Sequence, residues 1–419
     1  MEKTEARIEY EPAGPVQPAE RIVDLDILRG IALFGILVVN LYFFSNPIAV
    51  IVVDGGLWTE WYNRAYLMFS RIFFEGKFIT LFSFLFGLGF YIFTERLKTR
   101  GLPVNRVFFR RMLLLFVIGM LHALLFWAGD VLVAYAIAGI VIMLFQFSKD
   151  KTIKVWIGIF VGGALLLFTL FILLIMLLMG VPDLAGEMMQ EVTATHEKHL
   201  AMLARGYDVY ATGTFAEMMA YRWEEIAFLW TESFLIPVGI SFISVLFLLG
   251  FLVGRQGLLQ NPTLLRSLFI PRRWKLLLPG LLLSVLYAVS SHYQDSLVPD
   301  TWLLLQFYSG MFGAPLLMLG YTGFILKRLE ENNTASFLHR FAPVGRMALT
   351  NYILQTVICT TLFYGYGLGL IGRFEPIYIL PLAVVIFVIQ IYVSARVIQK
   401  YEMGPLEKLW RMGTYLKRM

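Results

Sequence analysis

Ten stretches of about twenty mostly apolar residues recur along the chain. A run of that length, wound as a helix with a rise of about 1.5 Å per residue, matches the roughly 30 Å hydrocarbon layer of a bilayer. They lie near 27–46, 70–93, 107–126, 128–147, 154–179, 232–254, 275–291, 303–326, 343–363 and 376–396, in a chain that is 58% hydrophobic and only 15% charged. The pattern predicts an all-α polytopic membrane bundle of about ten transmembrane helices. The narrowest separation is Trp127-Ala128-Gly129-Asp130. Merging spans three and four across it would give a helix of about 40 residues, twice what a bilayer needs.

Charge fixes the direction of those spans. Arg96, Arg100 and Arg106 fall between spans two and three, with Arg110 and Arg111 at the start of span three; Lys149, Lys151 and Lys154 follow span four; Arg255, Arg266, Arg272 and Arg273 follow span six. With both termini cytoplasmic, most of the 35 basic residues lie on the inner side, as the positive-inside rule requires. The expected organisation is a cytoplasmic tail over 1–26, a five-span bundle over 27–180, an acidic extracytoplasmic loop with short helices over 181–231, a second five-span bundle over 232–396 and a basic tail over 397–419. Within the loop, Asp183 to Leu203 and Thr214 to Trp230 read as helices. The formal charge of +6 is explained by topology, so membrane lipids, not nucleic acid, are the expected surroundings. Residues 1–26 are too polar for a signal-peptide core, and the first span is expected to stay attached.

Ionisable groups near hydrocarbon must be paired, wet or used, which singles out Asp26, Arg29, Gly30 and Asn40 in LDILRGIALFGILVVN. Counting residues from the span ends puts Asn40 and His122 at similar depth toward the outer face, with Asp130, Arg71, Glu75, Lys77, Glu232 and Asp295 near them. In such a ring His122 is the candidate general base, Asp130 or Glu75 the carboxylate that orients it, and Arg71 or Lys77 a cationic partner. A plain packing role for His122 stays open. At the inner face Asp26 and Arg29 are i, i+3 on one helix, Gly30 permits close approach of a helix or a cofactor, and Arg346 precedes Asn351 and Gln355, which share a helical face. The amides can hold Arg29 or meet a phosphate.

Nucleotide P-loop, HExxH and GxSxG motifs are absent from the sequence. His196 and His199 lack a second pair, so no metal site is expected. Cys359, the single cysteine, reads as a small buried apolar residue. Gly250 and Gly254 have GxxxG spacing, which leaves a homodimer open.

The strings RIVDLDILRGIALFGILVVN, RRMLLLFVIGMLHALLFWAGDVLVAYAIAG, GRMALTNYILQT, FYGYGLGL and GPLEKLWR resemble the DUF418, or YeiB-like, bacterial membrane proteins from about Arg21 to Tyr415. That family is in turn similar, mainly through its first span, to transmembrane acyltransferases such as heparan-glucosaminide N-acetyltransferase. The resemblance implies a bacterial plasma-membrane protein using cytosolic acyl-CoA as co-substrate and an acceptor, small molecule, lipid or sugar, on the other side. Asp26, Arg29, Gly30 and Asn40 match the RG-then-Asn element, while the histidine expected soon after that Asn is missing from residues 41–70. On this expectation Arg29, Arg346 and Asn351 meet the CoA portion, His122 supplies the base and Asn40 steadies the oxyanion. A metabolite transporter or exporter, and a non-catalytic sensory protein receiving a ligand on 181–231, are the alternative classes.

Overall fold

The computed structural model describes residues 21–53, 57–231, 235–294, 297–332 and 337–416. Glu232, Asp295 and most of the proposed N-terminal tail lie outside them. The described residues form sixteen α-helices: α1 (Val23–Phe44), α2 (Trp61–Phe73), α3 (Lys77–Thr99), α4 (Val104–Leu125), α5 (Leu132–Met143), α6 (Asp150–Met179), α7 (Pro182–Thr212), α8 (Phe215–Thr231), α9 (Leu235–Gly254), α10 (Leu264–Phe269), α11 (Arg273–Tyr293), α12 (Thr301–Asn332), α13 (Ala342–Arg346), α14 (Ala348–Phe363), α15 (Ile379–Tyr401) and α16 (Pro405–Tyr415). Seven stretches are long and apolar enough to cross a bilayer, and three shorter apolar helices accompany them. Together they account for the ten expected spans.

The differences from the sequence reading lie at breaks and ends. α1 starts at Val23, so Asp24 and Asp26 belong to its first turn and are buried. The second span is preceded by the separate helix α2, and Gly76, at φ 77°, makes the left-handed turn into α3. Span nine is divided at Met347 into α13 and α14. In the outer segment α7 is 31 residues long, not short: Pro182 opens it, it runs through Gly186 and Gly206, and no proline interrupts it before Gly213.

α1 is the hub, packed against α3, α13, α14 and α15. Glycine makes this possible. A Cβ on Gly345 would collide with the Asp26 carbonyl, and one on Gly30 with the Phe341 carbonyl, so backbone meets backbone where α1 crosses α13. Gly30 therefore admits a helix, not a cofactor. The Gly250 and Gly254 spacing is likewise used inside the chain, against the Phe84 carbonyl and the Tyr91 ring of α3. Asp24 takes a bidentate pair from Arg266, at 2.7 and 2.9 Å, fixing the start of α1 to α10. α6 is the opposite case, only 6% buried over its apolar window, as suits a lipid-facing span.

The α7–α8 hairpin caps the outer end through two buried ionisable residues. Arg222 donates to the Leu124 and Leu125 carbonyls, satisfying groups that the C-terminus of α4 leaves open. Glu225 accepts from the Ile48 amide at 2.7 Å and from the Tyr210 hydroxyl. Burial pushes the Glu225 carboxyl up to about 7, against the opposing pull of those hydrogen bonds and of Arg222, with Glu224 adding to the rise.

Two outcomes follow from this packing. Gly345→Val forces a side chain into the Asp26 backbone and is expected to cost about 1–3 kcal/mol, read as a lower Tm in detergent; Gly162→Val on α6, where a Cβ meets open space, leaves Tm unchanged. Because Glu225 binds its proton more tightly folded than unfolded, its stabilisation is complete below the unfolded carboxyl pKa and is lost as pH rises through about 7. Protection of the α7 and α8 amides, taken relative to the intrinsic base-catalysed exchange rate, should fall from pH 6 to pH 8, and Glu225→Gln should remove that fall.

Candidate functional site

A cavity of about 430 Å³ lies between α1, α3, α4, α14 and α16. Its wall on α3 is a continuous stripe, Ile79, Phe82, Phe86, Phe93, Arg96 and Arg100, at the three- and four-residue spacing of one helical face. From Ile79 to Arg96 that stripe is about 25 Å long at 1.5 Å per residue. The opposite wall is Leu25, Asp26, Arg29, Leu33 and Ile36 of α1. One end is cationic and the other aliphatic and aromatic.

At the cationic end seven arginines line the cavity: Arg21, Arg29, Arg96, Arg100, Arg111, Arg346 and Arg411. Among the described residues two carboxylates, Asp26 and Glu407, accompany them, and both are engaged. Asp26 pairs with Arg29 at 2.9 Å. Glu407 accepts from the Thr350 amide at 2.9 Å and from its hydroxyl at 2.5 Å, so α16 supplies a cap to the first turn of α14. Burial raises the Glu407 carboxyl, those hydrogen bonds opposing it. Arg111 stacks on Trp410, 3.6 Å from its ring centroid, while the Trp410 indole donates to the Arg111 carbonyl at 2.8 Å. Stacking engages the flat faces of a guanidinium and leaves its in-plane N–H donors for an anion. Arg346 donates to the Glu402 carbonyl at 2.6 Å, and its buried Nε has no partner. Gly89 leaves room for Arg29, whose Nη2 would lie 3.7 Å from a Cβ there.

At the far end the wall is closed by Val131, Leu132, Tyr135 and Tyr352. Immediately behind Tyr352 stands His122, 2% exposed, the two ring centroids 5.3 Å apart. His122 Nδ1 lies 2.7 Å from Asp130 Oδ2, and Nε2 lies 2.9 Å from the Thr356 hydroxyl. Asp130 also accepts the Val133 amide at 2.9 Å in the opening turn of α5, where the helix dipole favours a carboxylate. On the other side of Asp130 is a crevice of about 20 Å³ beneath α8, bordered by Met120, Ile226 and Trp230.

The structure thus joins His122 to Asp130, and places Asp26, Arg29 and Arg346 on one cavity wall. It does not bring the other expected residues to them. Asn40 is half-buried near the far end of α1 and lines neither cavity. Glu75 accepts from the Tyr287 hydroxyl of α11 at 2.6 Å, away from the imidazole, and buried Lys77 donates to the Arg71 carbonyl. Asn351 donates to Ser394 and Val344 and Gln355 to Gln390, so the two amides pin α14 to α15 and α13. Sequence reasoning passed over Arg96, Arg100, Arg111, Trp410 and Thr356. The first three were legible as a basic string, and the α3 stripe that ends in two of them carries helical periodicity.

Residues 253–417, which include α13 to α16, match the family described as "Protein of unknown function (DUF418)". The chain is 32% identical over 415 residues to "Uncharacterized protein YxaH" of Bacillus subtilis (strain 168), with 96% of each chain covered. The chain belongs to the DUF418 family. It is also similar to "Uncharacterized 39.9 kDa protein in amylase 3'region" of Bacillus acidopullulyticus, 32% identical with 96% of each chain covered, and to "Uncharacterized protein YeiB" of Escherichia coli (strain K12), 28% identical with 94% of this chain and 96% of that one covered. No solved structure matches. In this DUF418 chain the relatives' similarity spans both halves of the cavity.

Because Thr350 and Glu407 act as one contact, Thr350→Val and Glu407→Gln should each destabilise the chain by about 1–2 kcal/mol. The double variant should lose clearly less than the sum, a coupling that a thermal double-mutant cycle reads directly.

Proposed function

We propose that the protein is a membrane acyltransferase that binds an acyl-CoA in the cavity, phosphates among the arginines and thioester toward Tyr352. The observation that carries this reading is the pairing of a cationic mouth with a long apolar barrel in one cavity of about 430 Å³. An amphiphile with several phosphates suits both ends; a free sugar phosphate suits only one, and a neutral lipid only the other. Arginine is the side chain best matched to phosphate oxygens, since its donors form a planar fork. The positive-inside rule puts this mouth toward the cytoplasm, where acyl-CoA is found.

His122 stands one aromatic ring beyond the expected thioester end. Its partnership with Asp130 holds the imidazole in a fixed orientation with Nε2 as the proton acceptor, the arrangement a general base needs. Tyr352, hydrogen-bonded to the Val131 amide at 3.4 Å, separates base from cavity at rest. A hydroxyl or amine at Nε2 would give up its proton there and attack the thioester carbonyl, the CoA thiolate leaving with that proton. Asn40 has no position in this path, so the oxyanion is left to groups nearer the relay.

The test is binding and turnover with octanoyl-CoA. Octanoyl-CoA should raise the Tm of the purified protein more than CoA or octanoate alone. Arg111→Ala or Arg346→Ala should each weaken binding about 10- to 150-fold, the equivalent of a charge-assisted hydrogen bond of about 1.5–3 kcal/mol. His122→Gln should bind normally and lose about 10²- to 10⁴-fold in thiol release by membranes carrying the protein. Equal thiol release from wild type and His122→Gln would contradict the assignment. Flux of octanoyl-CoA-independent solutes in proteoliposomes would favour the transport alternative.

A further inference from the structure

His122 is bonded on both sides, and its second partner sets what it can deprotonate. Asp130 Oδ1 already receives the Val133 amide and Oδ2 faces His122 Nδ1, an arrangement that suits the tautomer with its proton on Nδ1. Nε2 is then the bare nitrogen, and the Thr356 hydroxyl is the donor to it, at 2.9 Å. A threonine within a helix ordinarily donates to the carbonyl four residues back. Thr322 and Thr361 do so here, at 2.9 and 2.7 Å. At Thr356 the bond to the Tyr352 carbonyl is stretched to 3.4 Å, and the imidazole is the nearer partner at 2.9 Å.

A hydroxyl on a histidine that is itself held by a buried carboxylate is the arrangement of an activated nucleophile. All three residues are almost completely buried and come from three separate elements, α14, α4 and the turn before α5. Resting on the acyl-CoA reading above, we propose that Thr356 is the nucleophile and that transfer runs through an acyl ester on its Oγ. Nε2 takes the Thr356 proton as Oγ attacks the thioester carbonyl; the C–S bond breaks and the thiolate takes that proton, leaving as free CoA thiol. In the second half an acceptor hydroxyl or amine gives its proton to Nε2 and attacks the ester carbonyl. Oγ leaves and recovers a proton from the imidazolium.

Tyr352 sits one helical turn before Thr356, lines the cavity and is held at its hydroxyl by a single 3.4 Å bond. Its rotation would expose Oγ to the acyl end of the cavity. The crevice beneath α8 that touches Asp130, at about 20 Å³, has room for about one water. With the acyl group held on Oγ, donor and acceptor use the cavity in turn.

The experiment mixes purified full-length protein with octanoyl-CoA and no acceptor, then measures thiol release and the mass of the chain. The expected result is a burst of one thiol per chain and one octanoyl group on the peptide carrying Thr356, released by hydroxylamine. Thr356→Val, close in shape, should abolish both in a folded protein that still binds octanoyl-CoA; Thr356→Ser should restore them. His122→Gln should slow the burst about 10²- to 10⁴-fold. Octanoyl-CoA that binds but gives neither burst nor adduct overturns this inference and leaves the functional reading standing. Octanoyl-CoA that fails to bind overturns both.

Discussion

The backbone contact between α1 and α13 governs how the rest of this bundle is arranged. Gly345 lies against the Asp26 carbonyl and Gly30 against that of Phe341, so two elements from opposite ends of the sequence meet at van der Waals distance. Such closeness has no hydrophobic driving force in lipid and depends on the absence of side chains. Its consequence is electrostatic. Arg29, one residue before Gly30, and Arg346, one residue after Gly345, are brought to the same cavity wall, where Arg21 ahead of α1 and the α3, α4 and α16 segments add five further arginines. Two carboxylates cannot balance that concentration of charge, and a cavity with such an excess favours an anion.

The interior end follows the opposite logic. Polar atoms there face hydrocarbon on most sides, so each must find a partner within the protein. His122, Asp130 and Thr356 do so in a line of bonds of 2.7 and 2.9 Å, and Tyr135 does so with Ser83 at 2.7 Å. A simpler bundle would put apolar residues at these positions, since a network satisfied only by its own members contributes little net stability over packed side chains. Their presence at the closed end of an amphiphilic cavity is what ties the fold to chemistry.

Much of this was legible in the sequence. Hydropathy located the ten spans, because the bilayer thickness sets their length independently of tertiary structure, and residue depth along α4 correctly put His122 beside Asp130. The same counting failed for Asn40 and Glu75. Depth fixes a level in the membrane and says nothing of which way a side chain points around the helix: Asn40 lines neither cavity, and Glu75 belongs to Tyr287. The arginines of α3 and α4 were read as topology markers, a role they share with most basic residues beside spans; only the 3,4 spacing of the α3 stripe distinguishes a lining from a flank. Thr356 is 234 residues from His122, and no local pattern announces a contact of that range. The long α7 was underestimated because its polar surface lacks the strong periodicity by which helices are read.

The measurement that bears most directly on this account is photo-crosslinking with a short-chain acyl-CoA carrying a diazirine on the carbons next to its thioester. The account predicts labelling of the barrel wall, at peptides holding Phe82, Tyr135 or Tyr352, competed by unlabelled octanoyl-CoA and diminished in Arg111→Ala. Labelling confined to the lipid-facing surface of α6, unchanged by competitor, would contradict it.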